Sequence, residues 1–230
     1  MKNKIVVALD VSTFHEAQKL IDELTGYVGV FKVGKQLFTR LGPQIVDYIK
    51  KQGGQVFLDL KFHDIPNTVR GACHAAADLG VDLLTIHTMG GFEMMRAARQ
   101  GVIDSGNMNT KVLGVTVLTS INQDVLRDDL NLKVPLGEQV IHLAKLAEMA
   151  GIHGVVASPK EITLIREHTQ KDFLIVTPGI RPTWYQKDDQ KRTMTPKEAV
   201  DAGADYIVIG RPITKAHEPK QAAIDVAKDI

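Results

Sequence analysis

The chain has 230 residues, 44% of them hydrophobic, and 28 Lys and Arg stand against 27 Asp and Glu for a formal net charge of +1. The two signs are interspersed, so no basic stripe points to nucleic acid and no acidic tail to a solvating segment. Cys73 is the sole cysteine and excludes an intrachain disulfide. No run approaches the ~20 apolar residues of a membrane helix. The amino terminus lacks a signal peptide's apolar stretch, and the expected compartment is the cytoplasm.

In chain order, short β-branched runs alternate with longer amphipathic stretches. Strands are expected over 5–9, 30–33, 56–60, 83–87, 112–117, 154–157, 173–177 and 206–209. Helices are expected over 13–24, 43–52, 68–79, 92–101, 136–150, 160–168, 196–202 and 212–228. The strands are near-continuous apolar runs, which suits a parallel sheet covered on both faces. Eight βα units in strict order, with no linker between them, predict one α/β domain over 1–230, a closed (β/α)8 TIM barrel. An open doubly wound sheet is the alternative.

Helix starts agree with this order. Thr13-x-x-Glu16, Ser158-Pro159-x-Glu161 and Thr195-Pro196-x-Glu198 match the capping box, two of them with Pro at the first helical position. Ser158 therefore has a structural use, and no Gly-x-Ser-x-Gly elbow exists to make it a nucleophile. Cys73, in a run of Gly and Ala, reads as a buried packing residue.

The most informative segment is 55–64, where an apolar run carries Asp59, Lys61 and Asp64 at its end. Residues two apart on a strand share a face, so Asp59 and Lys61 should project side by side. Asp64 follows in a turn marked by Ile65-Pro66-Asn67. Charges where a buried strand leaves the core pair or act. In a barrel of this type the site forms at the carboxyl ends of the strands. Those ends are Asp10, Lys32, Asp59 with Lys61, His87, Thr119-Ser120, Pro178-Gly179 with Arg181, and Gly210-Arg211. His87 reads more as a hydrogen-bonded structural histidine than as a catalytic one, His63 is ambiguous, and neither is counted among the site residues. No cluster has zinc spacing.

The last two strands suggest a phosphate grip. Gly210 would allow close backbone approach and Arg211 bidentate contact with an oxyanion. The loop opened by Thr177-Pro178-Gly179-Ile180-Arg181 runs to about Thr193 and exceeds the usual ~2–6 residues of such a connection. A lid at about 179–193, with Trp184, Tyr185 and Gln190, is the expectation.

Taken together, Ala8-Leu9-Asp10, Phe31-Lys32-Val33-Gly34, Asp59-Leu60-Lys61-Phe62-His63-Asp64-Ile65-Pro66-Asn67-Thr68, Thr177-Pro178-Gly179-Ile180-Arg181 and Ile209-Gly210-Arg211 resemble the orotidine 5'-phosphate decarboxylase family. The resemblance runs in order from residue 5 to about residue 215. The D-x-K-x-x-D element is shared with sugar-phosphate relatives. Lys32 discriminates, because the keto-gulonate-phosphate decarboxylase branch carries an acidic residue there.

The resemblance implies conversion of orotidine 5'-monophosphate to UMP and carbon dioxide by a cytoplasmic homodimer without metal or organic cofactor. It implies that Lys61 donates the proton, that Asp59 sits beside the substrate carboxylate, and that Lys32 and Asp64 complete a charged chain. Asp64 and Thr68 would reach the partner subunit's site. Asp10 would bind the ribose, and Thr119 and Ser120 would neighbour the pyrimidine. Gln190, Gly210 and Arg211 would hold the phosphate, with Pro178 and Arg181 at the closing loop. The alternatives are a magnesium-dependent sugar-phosphate decarboxylase or aldolase on the same barrel and a non-catalytic binder of phosphorylated ligands.

Overall fold

A computed structural model describes residues 1–185 and 193–230. Its eight parallel strands close into a barrel in sequence order, with the first paired to the last. They are β1 (Ile5–Ala8), β2 (Val30–Gly34), β3 (Gln55–Phe62), β4 (Leu83–His87), β5 (Lys111–Val115), β6 (Gly154–Val156), β7 (Leu174–Thr177) and β8 (Tyr206–Ile209). The helices described are α1 (Phe14–Leu24), α2 (Lys35–Leu41), α3 (Gln44–Lys51), α4 (Pro66–Asp78), α5 (Gly91–Asp104), α6 (Leu136–Met149), α7 (Ile162–Arg166), α8 (Pro196–Asp201), α9 (Arg211–Thr214) and α10 (Pro219–Lys228). The closed barrel is the expected one, and the open sheet is excluded by the β1–β8 pairing.

The strands form because their side chains are apolar on both faces, and strand periodicity sorts those side chains into two cores. Val6, Ala8, Val30, Phe57, Leu83, Leu113, Val176 and Val208 fill the barrel interior. The alternate residues, among them Ile5, Val7, Phe31, Leu58, Leu84 and Ile207, pack outward beneath the helices. Continuing the interior parity towards the carboxyl ends reaches Asp10, Lys32, Asp59, Thr85, Val115, Val156 and Gly210. The inner column therefore changes at its top layer from apolar to charged and polar at Asp10, Lys32, Asp59 and Thr85, and stays apolar at Val115 and Val156.

The structure departs from the expected elements in three places. A two-turn helix, α2, precedes α3, and its periodicity is faint because Leu37 is its only buried residue. The final helix expected over 212–228 is two helices, since Pro219 cannot continue a helix and instead starts α10. The stretch 122–135 includes a π-helix at Val125–Asp129 that no periodic pattern announces. The capping boxes at Thr13 and Thr195 form as expected, with Glu16 and Glu198 accepting from their N–H groups at 3.0 and 2.9 Å. At Ser158 the Glu161 half is present, accepting from Ser158 N–H at 3.0 Å, while the serine hydroxyl has no hydrogen-bond partner among the described residues. Cys73 is buried, and burial pushes its thiol up to about 12.

Candidate active site

Four charges of alternating sign line one side of the barrel mouth. Lys32 Nζ lies 3.5 Å from Asp10 Oδ1 and 3.5 Å from Asp59 Oδ2. Lys61 Nζ donates to Asp59 Oδ1 at 2.7 Å. Asp59 is the buried hub, at 14% side-chain exposure, while Asp10 at the outer end is 65% exposed. Burial alone would raise the Asp59 carboxyl. The charges of Lys32 and Lys61, with hydrogen bonds from Lys61 and Thr85, outweigh it and hold the group below the usual carboxylate range.

Lys61 comes to Asp59 by a route that simple strand alternation does not describe. Between Leu58 and Phe62 the register with β4 shifts: β3 advances four residues while β4 advances from Leu84 to Ile86. Within this bulge Lys61 takes φ +54°, a left-handed conformation uncommon for a side-chain-bearing residue. Its N–H therefore has no regular ladder partner and donates instead to Thr85 Oγ1 at 2.9 Å. Thr85, fully buried on β4, donates its own hydroxyl to Asp59 Oδ1 at 2.9 Å.

The opposite wall is apolar. Val115, Val117 and Leu118 from β5 and its loop, with Val156 from β6 and Ala157 just after it, face the charges across a cavity of about 280 Å³. A flat, weakly polar ring would fit there without stranding donors or acceptors. The third side is built from β7 and β8, where Pro178, Gly179, Arg181, Gly210 and Arg211 line the cavity. A Cβ at position 210 would lie in ordinary contact with Ala8 Cβ at 3.5 Å and Asp10 Oδ2 at 3.6 Å, so only the larger part of a longer side chain would intrude on this corner. Arg181 is 8% exposed, its Nη1 donates to Ile180 O at 3.0 Å, and its guanidinium lies 5.8 Å from the Tyr185 ring centre.

Of the residues expected at the site, Asp10, Lys32, Asp59, Lys61, Thr119, Pro178, Arg181, Gly210 and Arg211 meet around this one cavity. Ser120 is exposed and does not line it. Asp64 and Thr68 are exposed and also stay off the cavity of their own chain, and Asp64 Oδ1 accepts from Ile65 N–H. Gln190 lies outside the described residues, as do the other residues of 186–192 in the lid expected at 179–193. His87 lies 5.4 Å from His63, ring centre to ring centre, and burial followed by the neighbouring positive groups pushes its pKa down to about 4. Among the described residues, no group of three or more His, Cys, Asp or Glu side chains is placed to hold a metal ion. Thr85 and the apolar wall escape sequence reasoning. A threonine inside Leu83-Leu84-Thr85-Ile86-His87 was the one available signal for the first, and an apolar strand end looks like any other core position.

The family model described as orotidine 5'-phosphate decarboxylase / HUMPS family matches residues 3–226. A protein of Geobacter sp. (strain M21) named orotidine 5'-phosphate decarboxylase is 53% identical over 230 residues, covering 99% of this chain and 95% of the relative. One of that name from Moorella thermoacetica is 48% identical, covering 100% of this chain and 92% of its own length. The crystal structure of orotidine 5'-phosphate decarboxylase from Lactobacillus acidophilus superposes with a TM-score of 0.88 at 41% identity, covering 98% of this chain and 97% of that one.

Proposed function

The chain belongs to the orotidine 5'-phosphate decarboxylase family, and we propose that it converts orotidine 5'-monophosphate to UMP and carbon dioxide with Lys61 as proton donor. The observation that carries this reading is the Asp10–Lys32–Asp59–Lys61 chain, set in the same cavity as Gly210 and Arg211. A phosphorylated nucleoside has a dianion for Arg211 and Arg181, a ribose for Asp10 and Lys32, and a flat base for the Val115–Val156 wall. Thr119 neighbours the base, Pro178 sits where the closing loop begins, and Gln190 joins the phosphate grip, while Ser120 stays off the cavity.

The chemistry asks for what this site offers. Breaking the bond from ring carbon to carboxylate releases carbon dioxide and leaves the electron pair in an sp2 orbital that the ring delocalises poorly. The reading assigns no metal and no organic electron sink, so the protein's own charges stabilise the anion. The Lys61 ammonium, fixed 2.7 Å from Asp59, offers positive charge during cleavage and a proton to the carbanion afterwards, which completes UMP. Asp59 stands beside the departing carboxylate. Binding energy at the phosphate helps to hold the base against the charges.

The working enzyme is a cytoplasmic homodimer in this reading, engaging neither nucleic acid nor membrane. Asp64 and Thr68, which stay off their own cavity, complete the partner's site. The described residues include no helix long and apolar enough to cross a membrane.

A direct test is the absorbance change on loss of orotidine monophosphate, run with and without a chelator. The proposal expects equal turnover in both. Activity that needs added magnesium, or turnover of a sugar phosphate alone, would replace it with the sugar-phosphate lyase reading. Lys32 argues against that alternative, since it bridges two carboxylates where the other branch carries an acid.

A further inference from the structure

The geometry points to Thr85 as a positioning residue for the decarboxylation, holding the Asp59 carboxylate and the left-handed Lys61 backbone together through one hydroxyl. The inference rests on the function proposed above and deepens it. Thr85 does not line the cavity, so it acts through its neighbours and touches no substrate.

A threonine hydroxyl has one hydrogen to donate and lone pairs to accept with. Both capacities are used here. The oxygen accepts from Lys61 N–H at 2.9 Å, and the hydrogen goes to Asp59 Oδ1 at 2.9 Å. Oδ1 also receives the Lys61 ammonium at 2.7 Å, so that oxygen is pinned from two sides. The other oxygen, Oδ2, is thereby turned towards Lys32 at 3.5 Å. Rotation of the Asp59 carboxylate would break both contacts at Oδ1 and move the only buried negative charge of the alternating chain.

The backbone half matters equally. The β3–β4 register breaks between Leu58 and Phe62, which deprives Lys61 N–H of a ladder carbonyl. A buried N–H without a partner is costly, and a residue at φ +54° is held there only by its surroundings. The Thr85 hydroxyl supplies the missing acceptor at the residue whose ammonium must be aimed. Valine has the same shape but offers neither function, while serine keeps both and loses only a methyl group.

The test compares Thr85→Val, Thr85→Ser and the parent by kcat, KM and the pH dependence of kcat, with UMP affinity and circular dichroism as checks on binding and folding. In Thr85→Val, kcat should fall roughly 10- to 100-fold, the range for losing a hydrogen bond to a charged group, with KM nearly unchanged. Its acid limb should move to higher pH, because a contact that keeps Asp59 ionised beside Lys32 and Lys61 is gone. Thr85→Ser should stay within about threefold of the parent. If the valine variant does not fold, Thr85→Ala, which also lacks the hydroxyl without the branched bulk, takes its place. A hydroxyl-free variant with parent-like kcat and an unmoved acid limb overturns the inference. So does a serine variant as impaired as the valine one, which would assign the effect to packing of the methyl group. A parent protein that leaves orotidine monophosphate untouched overturns the proposed function itself and this inference with it.

Discussion

The proposed function gives Lys61 a chemical load and its φ of +54° a conformational one, and replacing it by alanine and by glycine separates the two. The ammonium is assigned charge stabilisation, typically worth ~10²–10³ in rate, and proton donation, worth ~10²–10⁴. Losing both should lower kcat at least ~10³-fold, about 4 kcal/mol on the barrier, in either variant. Stability should respond differently. Asp59 loses its 2.7 Å partner but keeps Lys32 at 3.5 Å, and Lys61 is 24% exposed. The cost therefore falls below the ~3–5 kcal/mol of stripping a fully buried charge, and ~1–2 kcal/mol is expected. Alanine at φ +54° inherits the left-handed strain, whereas glycine does not. The glycine variant should be more stable than the alanine variant by up to ~1 kcal/mol, or about 2–4 °C for a chain of this size. Absorbance turnover and scanning calorimetry at one fixed protein concentration read both effects. Turnover within about tenfold of the parent would refute the assignment of Lys61. A glycine variant melting at or below the alanine variant would refute the strain argument.

Arg211→Ala should weaken UMP binding far more than uridine binding in calorimetry, because only the nucleotide carries the dianion; equal losses would remove Arg211 from the phosphate grip. His87 gives a pH signature. Its folded pKa, about 4, lies below the usual 6.5, so the unfolded chain takes up protons first as pH falls and stability is lost between those values. His87→Gln should reduce the slope of melting temperature across that window without abolishing it, because burial pushes His153 down to about 4 as well, and an unchanged slope would assign the whole effect to other groups. Lys61→Ala and Asp64→Ala homodimers, each nearly inactive, should regain activity when mixed and refolded, since one site per heterodimer then combines intact Lys61 with intact Asp64. Verified subunit exchange without recovery would place Asp64 in its own chain's chemistry.

Hydrophobic periodicity made most of the fold legible, because a buried parallel strand has to be apolar on both faces and a covering helix on one. It failed where burial is slight or a breaker intervenes. The α2 helix buries only Leu37, and Pro219 divides the last helix against an otherwise continuous pattern. The charged residues of the site were legible because Asp10, Lys32, Asp59 and Lys61 contradict the apolar strands that carry them. Thr119, Gly210 and Arg211 were reached through their place at strand ends. The apolar wall was not legible, since Val115 and Val156 look in sequence like the core residues beneath them. Nor was Thr85, whose importance depends on a register shift two residues wide that no spacing rule displays.

The barrel interior and the site are one column of side chains read to different heights. Val30 lies below Lys32, Phe57 below Asp59 and Leu83 below Thr85, each pair two residues apart on its strand. The apolar layer excludes water and fixes the strands, so charges set one step higher meet a rigid floor on one side and the open mouth on the other. A regular column, however, offers each strand only one residue per layer. The carboxylate and the ammonium that meet at 2.7 Å come from the same strand, and the β3 bulge lies between Leu58 and Phe62, where that regularity breaks. The left-handed backbone at Lys61 belongs to that break. Its strain sits beside the Asp59–Lys61 pair, and the neighbouring β4 strand restrains it through Thr85.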